Sequence, residues 1–418
     1  MDGKAPRSAG AGSESTAGDR ALAPEPACPP GAQPFGIYLH FPYCLSKCPY
    51  CDFASRAAAI VPQERYTQAV RRELELRASE FPRRAATSVF FGGGTPSLWE
   101  AREVGGVLQA LDRAYPFTAD CEITLEANPG ASDEARFAAY RAAGVNRLSV
   151  GAQSFQPSVL QNLGRRHTPD ETARAVQAAR AAGFENVSVD LIYGAPGHTG
   201  ALVLDDARRA VALGTEHVSA YALTLEHLAE EVPMARDRRR GLITVPDDDT
   251  QAQMGAVLRA ELERAGLKRY EISNFAHPGR EARHNLNYWR GGGYLGLGVS
   301  ASGFARASDG RRGRRYTNRR APESYFAALD RRELPEKEQE RIGTREVLLE
   351  RLYTGLRLTE GLDLATLDGL CGTAICRTKA QELTRFAAGG LCTWDGTRIT
   401  LTERGLDLHT SIAAALTP

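Results

Sequence analysis

The chain has 418 residues, a hydrophobic content of 42%, a charged content of 25% and a formal net charge of +1 at pH 7. Such a composition is typical of a globular protein with about two or three domains and a large core. The near-neutral charge predicts no nucleic-acid partner. Because no apolar run approaches the ~18 residues of a membrane helix, we expect no integral membrane segment. The eight cysteines follow no secreted pattern and favour a reducing, cytoplasmic location.

Residues 1–34 are rich in alanine, glycine, proline and serine and show no hydrophobic periodicity. They lack the apolar segment of a signal peptide, and their acidic residues argue against an organelle transit peptide. We therefore predict a disordered tail that ends just before the first strand-like segment.

Three cysteines, Cys44, Cys48 and Cys51, follow the first strand-like run, at residues 37–41. Three thiolates on one tight loop can bind three irons of a cubane iron–sulfur cluster, which normally takes four cysteine ligands. The position at which a fourth cysteine could complete the set is occupied by Phe53. The loop therefore predicts a cluster with three protein ligands and one iron that is open to a ligand other than cysteine.

Three other interpretations of these cysteines stay open. A zinc site would need a fourth nitrogen or sulfur donor, usually arranged as two pairs, and no second pair follows at a suitable spacing. A disulfide framework is uncommon in a long chain with scattered thiols. Clustering by chance would not explain the glycine-rich motif that comes next.

Strand-like and helix-like segments alternate from residue 35 to residue 225. The predicted strands are 37–41, 88–91, 122–126, 147–151, 187–193 and 217–223. The predicted helices are 63–80, 98–114, 133–143, 156–163, 170–182 and 202–213, with capping-box sequences at Ser97–Glu100 and Thr168–Glu171. Six strand–helix units predict an α/β fold with a parallel sheet, as an open or partial (β/α)6 barrel and not a closed eight-stranded one.

Polar or glycine-rich residues follow these strands where each strand ends. The second strand leads into the sequence GGGTP at residues 92–96, and the next three carry Glu126, Gln153 and Asp190 near their ends. In parallel α/β folds the chemistry gathers at the carboxyl ends of the strands. We therefore predict that these residues share one site with the cysteine loop.

The glycine run lets backbone N–H and C=O groups approach a ligand closely, because glycine has no Cβ. It is not a phosphate loop, since no lysine followed by serine or threonine is present; a plain tight turn is the alternative. Glu126 could pair with an ammonium or a ribose diol and Arg165 with a carboxylate. Gln153 and Asp190 offer hydrogen bonds to a sugar or base, although each residue alone could be structural.

Four segments together carry a resemblance to a known family: the CxxxCxxC loop at 44–51, GGGTP at 92–96, EANP at 126–129 and DLIYG at 190–194. They resemble the radical S-adenosylmethionine (SAM) superfamily, and most the branch that contains oxygen-independent coproporphyrinogen III oxidase and the HemW haem chaperones. The resemblance covers roughly residues 35–415. It implies a 4Fe–4S cluster whose open iron is chelated by the amino and carboxylate groups of SAM.

The resemblance also assigns roles to residues of this chain. It implies three cluster ligands: Cys44, Cys48 and Cys51. It implies SAM contacts at Tyr38, Gly93, Gly94, Thr95, Glu126, Gln153, Arg165 and Asp190, with Tyr50 stacked near the adenine. It predicts no further catalytic residue.

Residue 53 separates the two functions of that branch. The oxidase carries a further cysteine two residues after the third ligand, whereas HemW-like proteins carry an aromatic residue there. Phe53 therefore favours a HemW-like protein. The alternative, an enzyme that oxidatively decarboxylates coproporphyrinogen III in haem biosynthesis, stays open, and so does the question whether the chain is an enzyme.

The sequence pattern of residues 226–335 predicts an α+β extension with a helix at 249–265 and a strand at 270–275. The arginine-rich runs at 236–240 and 311–320 are expected to be solvated loops, and residues 291–298 a mobile glycine segment. Between them, His284 begins the sequence HNLNYW. Imidazole is a common haem ligand, and the sequence resembles the HNxxYW motif associated with haem in HemW-like proteins. His284 is therefore a candidate haem-binding residue, with a structural histidine as the alternative.

Residues 336–418 predict a small winged-helix-like domain. Its expected elements are a helix at 343–355, a segment at 362–370, a helix at 373–387, a hairpin at 391–401 and a helix at 403–415. Its three cysteines lack ligand spacing. The sequence therefore predicts three regions after the tail: a partial barrel at 35–225, an α+β extension at 226–335 and a winged-helix-like domain at 336–418. As a whole it predicts a HemW-like haem chaperone that delivers haem to an acceptor protein such as a respiratory haem enzyme.

Overall fold

The computed structural model describes residues 34–81, 84–130 and 133–418. The predicted tail at 1–34 lies outside these residues except for Pro34. The strands are β1 (Phe35–Phe41), β2 (Tyr43–Cys44), β3 (Arg56–Ala57), β4 (Ala86–Gly93), β5 (Phe117–Ala127), β6 (Arg147–Gln153), β7 (Val187–Tyr193), β8 (His217–Ala222), β9 (Lys268–Glu271), β10 (Asn274–Ala276), β11 (Gly293–Gly298), β12 (Ser302–Arg306), β13 (Gly313–Asn318), β14 (Glu336–Ile342), β15 (Leu362–Asp363), β16 (Cys392–Trp394) and β17 (Arg398–Leu401).

Helices separate the central strands from β4 to β8 and also occur in the later parts of the chain. They are α1 (Gln63–Arg77), α2 (Ala101–Ala114), α3 (Asp133–Ala143), α4 (Pro157–Asn162), α5 (Pro169–Ala181), α6 (Gly200–Ala212), α7 (Pro233–Arg239), α8 (Asp248–Arg264), α9 (Arg283–Trp289), α10 (Pro322–Asp330), α11 (Thr344–Gly355), α12 (Leu364–Cys371), α13 (Ile375–Thr378), α14 (Ala380–Ala388), α15 (Glu403–Asp407) and α16 (His409–Leu416), with a 3₁₀ turn at Pro96–Leu98. No described helix is both long enough and apolar enough to cross a lipid bilayer.

One large sheet organises the chain, in the strand order β14-β13-β12-β11-β1-β4-β5-β6-β7-β8-β10-β9. The six predicted strands lie side by side at its centre and all run parallel. The parallel part stays open, because its outer strands β11 and β8 pair with the antiparallel strands β12 and β10. The predicted α/β fold with an open, mostly parallel sheet is therefore confirmed.

The seventh parallel strand, β11, falls on the segment that the sequence predicts to be mobile, and that prediction is wrong. It pairs with β1 from Phe35 opposite Gly293 to His40 opposite Gly298. Leu295 and Leu297 are fully buried in the core. Gly296 alternates with them because a Cβ there would collide with the backbone of Ser302 on β12. Glycine here serves a close strand approach and not mobility.

Alternation along the central strands separates the core from the site. On β6, Leu148, Val150 and Ala152 are fully buried against the helix layer, and burial of each large apolar side chain stabilises the fold by about 1.5–3 kcal/mol. Arg147 and Ser149 point to the opposite face, where they line a cavity. Period-two alternation thus gives the sheet one apolar face and one polar face.

Several local predictions need correction. The capping box at Ser97–Glu100 does not form, because Pro96 starts a 3₁₀ turn that includes Ser97, and α2 begins only at Ala101 with no side-chain cap. The capping box at Thr168–Glu171 is confirmed. The predicted strand at 270–275 is a hairpin, since Glu271 accepts the N–H of Ser273 at 2.8 Å and turns the chain between β9 and β10.

The arginine-rich runs also have more structure than predicted. Residues 236–239 belong to α7, and 313–318 form β13, so neither run is a plain loop. On β13, Arg314 pairs with Glu336, and Arg315 forms a bidentate pair with Glu350 at 2.7 and 2.8 Å. The side chain of Arg315 is only 27% exposed. The sequence predicts solvent-exposed loops for these runs because their acidic partners are distant in the chain and cannot be recognised from the sequence.

The C-terminal region has its own apolar core, made of residues from α11 to α16 and β15 to β17. Its three short strands form an antiparallel sheet in the order β15-β17-β16, consistent with the winged-helix-like expectation. The predicted final helix is broken at Leu408 into α15 and α16, and the helix at 373–387 is broken at Lys379. The strand β14 pairs with β13 in the large sheet.

Candidate functional site

A cavity of about 920 Å³ occupies the polar face of the central sheet and is closed on one side by the cysteine loop. The structure brings all thirteen sequence-predicted site residues to its wall, although their roles remain predictions. These residues are Tyr38, Cys44, Cys48, Tyr50, Cys51, Gly93, Gly94, Thr95, Glu126, Gln153, Arg165, Asp190 and His284.

The cysteine loop is fixed by backbone hydrogen bonds to the glycine turn. The N–H of Gly94 donates to the carbonyl of Phe41 at 2.7 Å, and the N–H of Thr95 donates to the carbonyl of Tyr43 at 2.9 Å. The N–H of Gly93 donates to Oε2 of Glu126 at 3.1 Å. The amide donors of this turn are therefore used within the protein, and the predicted clamp of N–H groups around a ligand is wrong in that respect.

The glycines serve the approach of the two loops. A Cβ on Gly94 would lie 2.7 Å from the carbonyl oxygen of Tyr43, and a Cβ on Gly93 would lie 2.6 Å from the ring of His40. Gly93 also has φ +110°, a conformation that favours glycine. Strand β4 can end against the cysteine loop only because both residues lack a side chain.

Gly94→Ala should therefore loosen the cysteine loop. The new methyl group meets backbone and not a flexible side chain, so we expect a loss of about 1–3 kcal/mol in the free energy of unfolding and a lower iron content after reconstitution. Gly106→Ala on α2 is the matched control, because its Cβ meets nothing within 4 Å. Urea denaturation and iron analysis of both variants check this; equal behaviour of the two would contradict it.

The far side of the loop is held by more distant elements. The N–H of Met234, on α7, donates to the carbonyl of Pro49 at 2.9 Å. Arg320 donates through Nη2 to the carbonyl of Asp52 at 2.6 Å. These contacts come from residues after the parallel strands, so the extension helps to set the position of the cysteines.

The three thiols fit a cluster better than a single ion. Cys44, Cys48 and Cys51 are free and half-buried. In the part of the chain that the structure describes, no group of three histidine, cysteine or acidic residues is placed to bind one metal ion. Thiolates of a cubane bind separate irons and need not converge on one point. Arg165 lies with Nη1 3.5 Å from Sγ of Cys48, at the edge of the cysteine loop.

Two carboxyl groups face the interior of the cavity. Burial, and next the charge of Asp190, raise the pKa of the Glu126 carboxyl to about 8. Burial also raises the pKa of Asp190, although Ser149 donates to its carboxylate oxygens at 3.0 Å. Two neighbouring acids held apart from water are costly to ionise together, and the charge of Arg147 offsets only part of that cost, so this part of the cavity is suited to a cationic ligand group.

Arg165 stands in a hydrogen-bonded chain that the sequence did not reveal. Its Nη2 donates to Oδ1 of Asn128 at 2.5 Å and to the carbonyl of Gly151 at 3.1 Å, while Nδ2 of Asn128 donates to Oγ1 of Thr95 at 2.9 Å. Its Nε is buried and lacks a hydrogen-bond partner among the described residues. Asn128 therefore positions two predicted ligand contacts, and Arg165 keeps one donor for a carboxylate.

Arg147 is a second residue that sequence reasoning missed. It begins β6, its side chain is almost fully buried at 2% exposure, and it lines the cavity. Its charge lowers the pKa of both Glu126 and Asp190, and its Nε has no partner within the described chain. The only signal in the sequence was a charged residue at the start of an otherwise apolar strand. Its alternation with Leu148 would have placed its side chain on the face of the sheet opposite the apolar core.

Three further predicted residues, Tyr38, Gln153 and Tyr50, line the large cavity. Tyr38 shares a hydrogen bond of 3.0 Å with Nδ1 of His40. Gln153 adopts φ +66°, which is unusual for a residue with a side chain and is typical of functional sites. Tyr50, on the cysteine loop, lies near Cys48, and burial raises its pKa. Phe53 also lines the cavity and is 57% exposed.

His284 lies at the opposite end of the cavity from the cysteine loop, on α9. Its side chain is 1% exposed and its ring stacks on Phe90 at 5.1 Å. Both ring nitrogens are hydrogen bonded, Nδ1 to Oγ of Ser88 and Nε2 to the hydroxyl of Tyr288, each at 3.0 Å. Burial lowers its pKa to about 3, so the ring is neutral at pH 7, but binding to iron would require Nε2 to leave Tyr288.

Two segments of the chain match the models of known protein families. A family model of the radical SAM superfamily matches residues 38–210, which include the cysteine loop and the predicted SAM contacts. A model of the HemN C-terminal domain matches residues 344–408.

Full-length relatives extend these matches. The chain is 38% identical over 398 residues to the "heme chaperone HemW" of Mycobacterium tuberculosis H37Rv, covering 94% of this chain and 96% of the relative. It is 39% identical over 279 residues to the protein of the same name from Escherichia coli K12, covering 66% of this chain and 72% of the relative.

Among solved structures, the E. coli coproporphyrinogen III oxidase HemN, described as a radical SAM enzyme, has a TM-score of 0.77 and 22% identity. The match covers 93% of this chain and 91% of that one. At this identity the likeness establishes a common fold, and the activity of that protein is not transferred by it.

Proposed function

We propose, because this chain belongs to the HemW family within the radical SAM superfamily, that it is a haem chaperone that binds a 4Fe–4S cluster, SAM and haem and delivers haem to an acceptor protein. The single observation that supports it most is the 38% identity to a haem chaperone across nearly the whole length of both chains. The shared cavity of the thirteen site residues supports the cofactor part of the proposal.

Cluster and SAM would be held at the cysteine end of the cavity. Cys44, Cys48 and Cys51 would bind three irons, and a bound cluster of this type supplies an electron and an open iron for SAM. Glu126 would accept a hydrogen bond from the amino group of SAM, because its carboxyl is buried beside another acid and gains from a donor on a cationic ligand. The unpartnered Nε of Arg165 would donate to the carboxylate.

The oxidase function remains the less favoured alternative. The named haem chaperones share 38 and 39% identity with this chain, whereas the oxidase structure shares 22%. Position 53, where the oxidase carries a cysteine, is an exposed phenylalanine on the cavity wall. Conversion of coproporphyrinogen III to a decarboxylated product by the reconstituted protein would restore the oxidase proposal.

Haem is proposed to bind close to α9, with His284 as an iron ligand. On this proposal His284→Ala should weaken haem binding by about tenfold or more, equivalent to a loss of about 1.4 kcal/mol or more. Tyr288→Phe is the matched control, because it removes only the hydrogen bond to Nε2 and should leave haem affinity equal or higher. If both variants lose folding stability alike and bind haemin like the wild type, His284 is a structural histidine.

Delivery is tested with membranes from haem-starved cells, which contain respiratory enzymes without haem. Haem-loaded protein should restore their activity faster than free haemin at the same concentration, and His284→Ala should not. Equal restoration by free haemin would overturn delivery to this class of acceptor. We also propose a reducing, cytoplasmic location, which the oxygen sensitivity of such clusters supports.

A further inference from the structure

A second cavity lies beside α9 and is separate from the lining of the first except at Tyr288. Its volume is about 370 Å³, within the range of small-molecule sites. Its apolar wall includes four aromatic residues, Tyr288, Trp289, Tyr294 and Phe304. The rings of Tyr288 and Tyr294 are 4.6 Å apart, and those of Tyr294 and Phe304 are 6.2 Å apart. Flat apolar walls of this kind suit a planar ligand.

Three arginines face the same cavity, and two of them lack an acidic partner. Arg315 is neutralised by its bidentate pair with Glu350. Arg306 donates to the carbonyls of Gly291 and Gly310, and Arg351 donates to the carbonyl of Trp289 at 3.3 Å. Within the described ranges, neither Arg306 nor Arg351 forms an ion pair with a carboxylate, although both are partly buried.

The two guanidinium groups also repel each other. Burial, and next the charge of Arg306, lower the pKa of Arg351 to about 10, and burial lowers the pKa of Arg306. Both remain charged at pH 7, so the fold holds two adjacent positive charges at a cost. Charges withdrawn from water are normally paired, and arginine pairs best with carboxylate or phosphate.

The local backbone is built for this arrangement. Gly291 follows α9 with φ +68°, and a Cβ on it would lie 2.5 Å from Cδ of Arg351. The indole Nε1 of Trp289 is buried and has no hydrogen-bond partner within the described residues. The cavity therefore combines an unsatisfied donor, the indole N–H of Trp289, with two arginines that no carboxylate of the described chain neutralises, which is an arrangement suited to an anion.

We propose that this second cavity binds the carboxylate groups of a planar, apolar ligand, with Arg306, Arg351 and the indole N–H of Trp289 as donors and the aromatic wall against its face. The inference rests on the proposed function, which supplies haem as such a ligand. It assigns the carboxylates to the side of α9 away from His284, with Tyr288 between the two cavities. The second cavity has to admit only the carboxylate-bearing edge of such a ligand.

Haemin and haemin dimethyl ester, in which both carboxylates are blocked, test the inference. Wild-type protein should bind haemin at least about tenfold more tightly than the ester, because a charge-assisted hydrogen bond is lost. In Arg351→Met, and more so in Arg306→Met/Arg351→Met, the ratio of the two dissociation constants should fall towards one. Arg345→Met, exposed on the same helix, should keep the wild-type ratio.

Two controls make the outcomes distinct. Arg351→Lys keeps the charge and should retain part of the preference, and thermal melting identifies any variant that fails to fold. If the folded Arg306→Met/Arg351→Met variant keeps the wild-type ratio of the two dissociation constants, the second cavity does not bind the carboxylates, and the chaperone proposal is unaffected. Collapse of the ratio in Arg147→Met instead would place the carboxylates in the large cavity and also overturn the inference. No saturable binding of haemin by the wild type overturns both.

Discussion

Cys48→Ala should abolish cluster assembly. With only two thiolates left on the loop, the cubane loses the ligand nearest Arg165, and iron should fall from about four atoms per reconstituted chain to below about one. SAM binding should be lost with it, because the open iron is gone. The check is anaerobic reconstitution followed by iron and sulfide analysis and a SAM titration.

Cys376→Ala is the matched control for this change. Cys376 lies on the short helix α13 in the C-terminal region, packed against the core of that region and far along the chain from the cysteine loop. Its loss should leave iron and sulfide at the wild-type level. Equal iron in Cys48→Ala and wild type would mean that Cys48 is not a ligand, and iron loss in both variants would point to general instability.

Glu126→Gln should weaken SAM binding by about 10- to 100-fold, the range for loss of one charge-assisted hydrogen bond. The pH dependence is the sharper test. The Glu126 carboxyl has a pKa of about 8 without ligand, so its ionised form, which accepts an N–H of SAM more strongly, becomes populated only as the pH approaches 8. SAM affinity of the wild type should therefore rise with pH up to about 8, and this dependence should be absent in Glu126→Gln.

Stability should change in the opposite direction. The pKa of Glu126 in the folded state lies above the usual 4.5. Its contribution to the free energy of unfolding is therefore fully present below pH 4.5 and is lost as the pH rises to about 8. Without ligand, Glu126→Gln should be more stable than the wild type at pH 8.5, by a few kcal/mol at most. Glu134→Gln, exposed on α3, should change neither quantity; a stability loss in Glu126→Gln would contradict the account.

Much of this site could be predicted because each strand ends at the same edge of a parallel sheet. Once the order of strands is known, Glu126, Gln153 and Asp190 must come near the cysteine loop. What the sequence could not supply is hydrogen-bond partnership. The sequence predicts that the amide groups of the glycine turn face a ligand, yet those of Gly94 and Thr95 donate to the chain beside the cysteine loop and that of Gly93 donates to Glu126.

Other gaps come from contacts between distant parts of the chain. Arg147 could not be singled out, since its meaning depends on two acids that lie on neighbouring strands. The second cavity joins residues of α9, β12 and α11, from Tyr288 to Thr354, which are distant in the chain and separated by changes of direction in the sheet. Strand β11 was missed because glycine is read as flexible, whereas here it admits a neighbouring backbone.

The most direct test of the proposed haem chaperone is an equilibrium titration of the anaerobically reconstituted wild-type chain with haemin. We expect saturable binding of about one haem per chain, with a preference for haemin over its dimethyl ester and with weaker binding in His284→Ala. Absence of saturable binding, with iron, sulfide and SAM binding intact, would contradict the haem chaperone proposal and leave a radical SAM protein with another task.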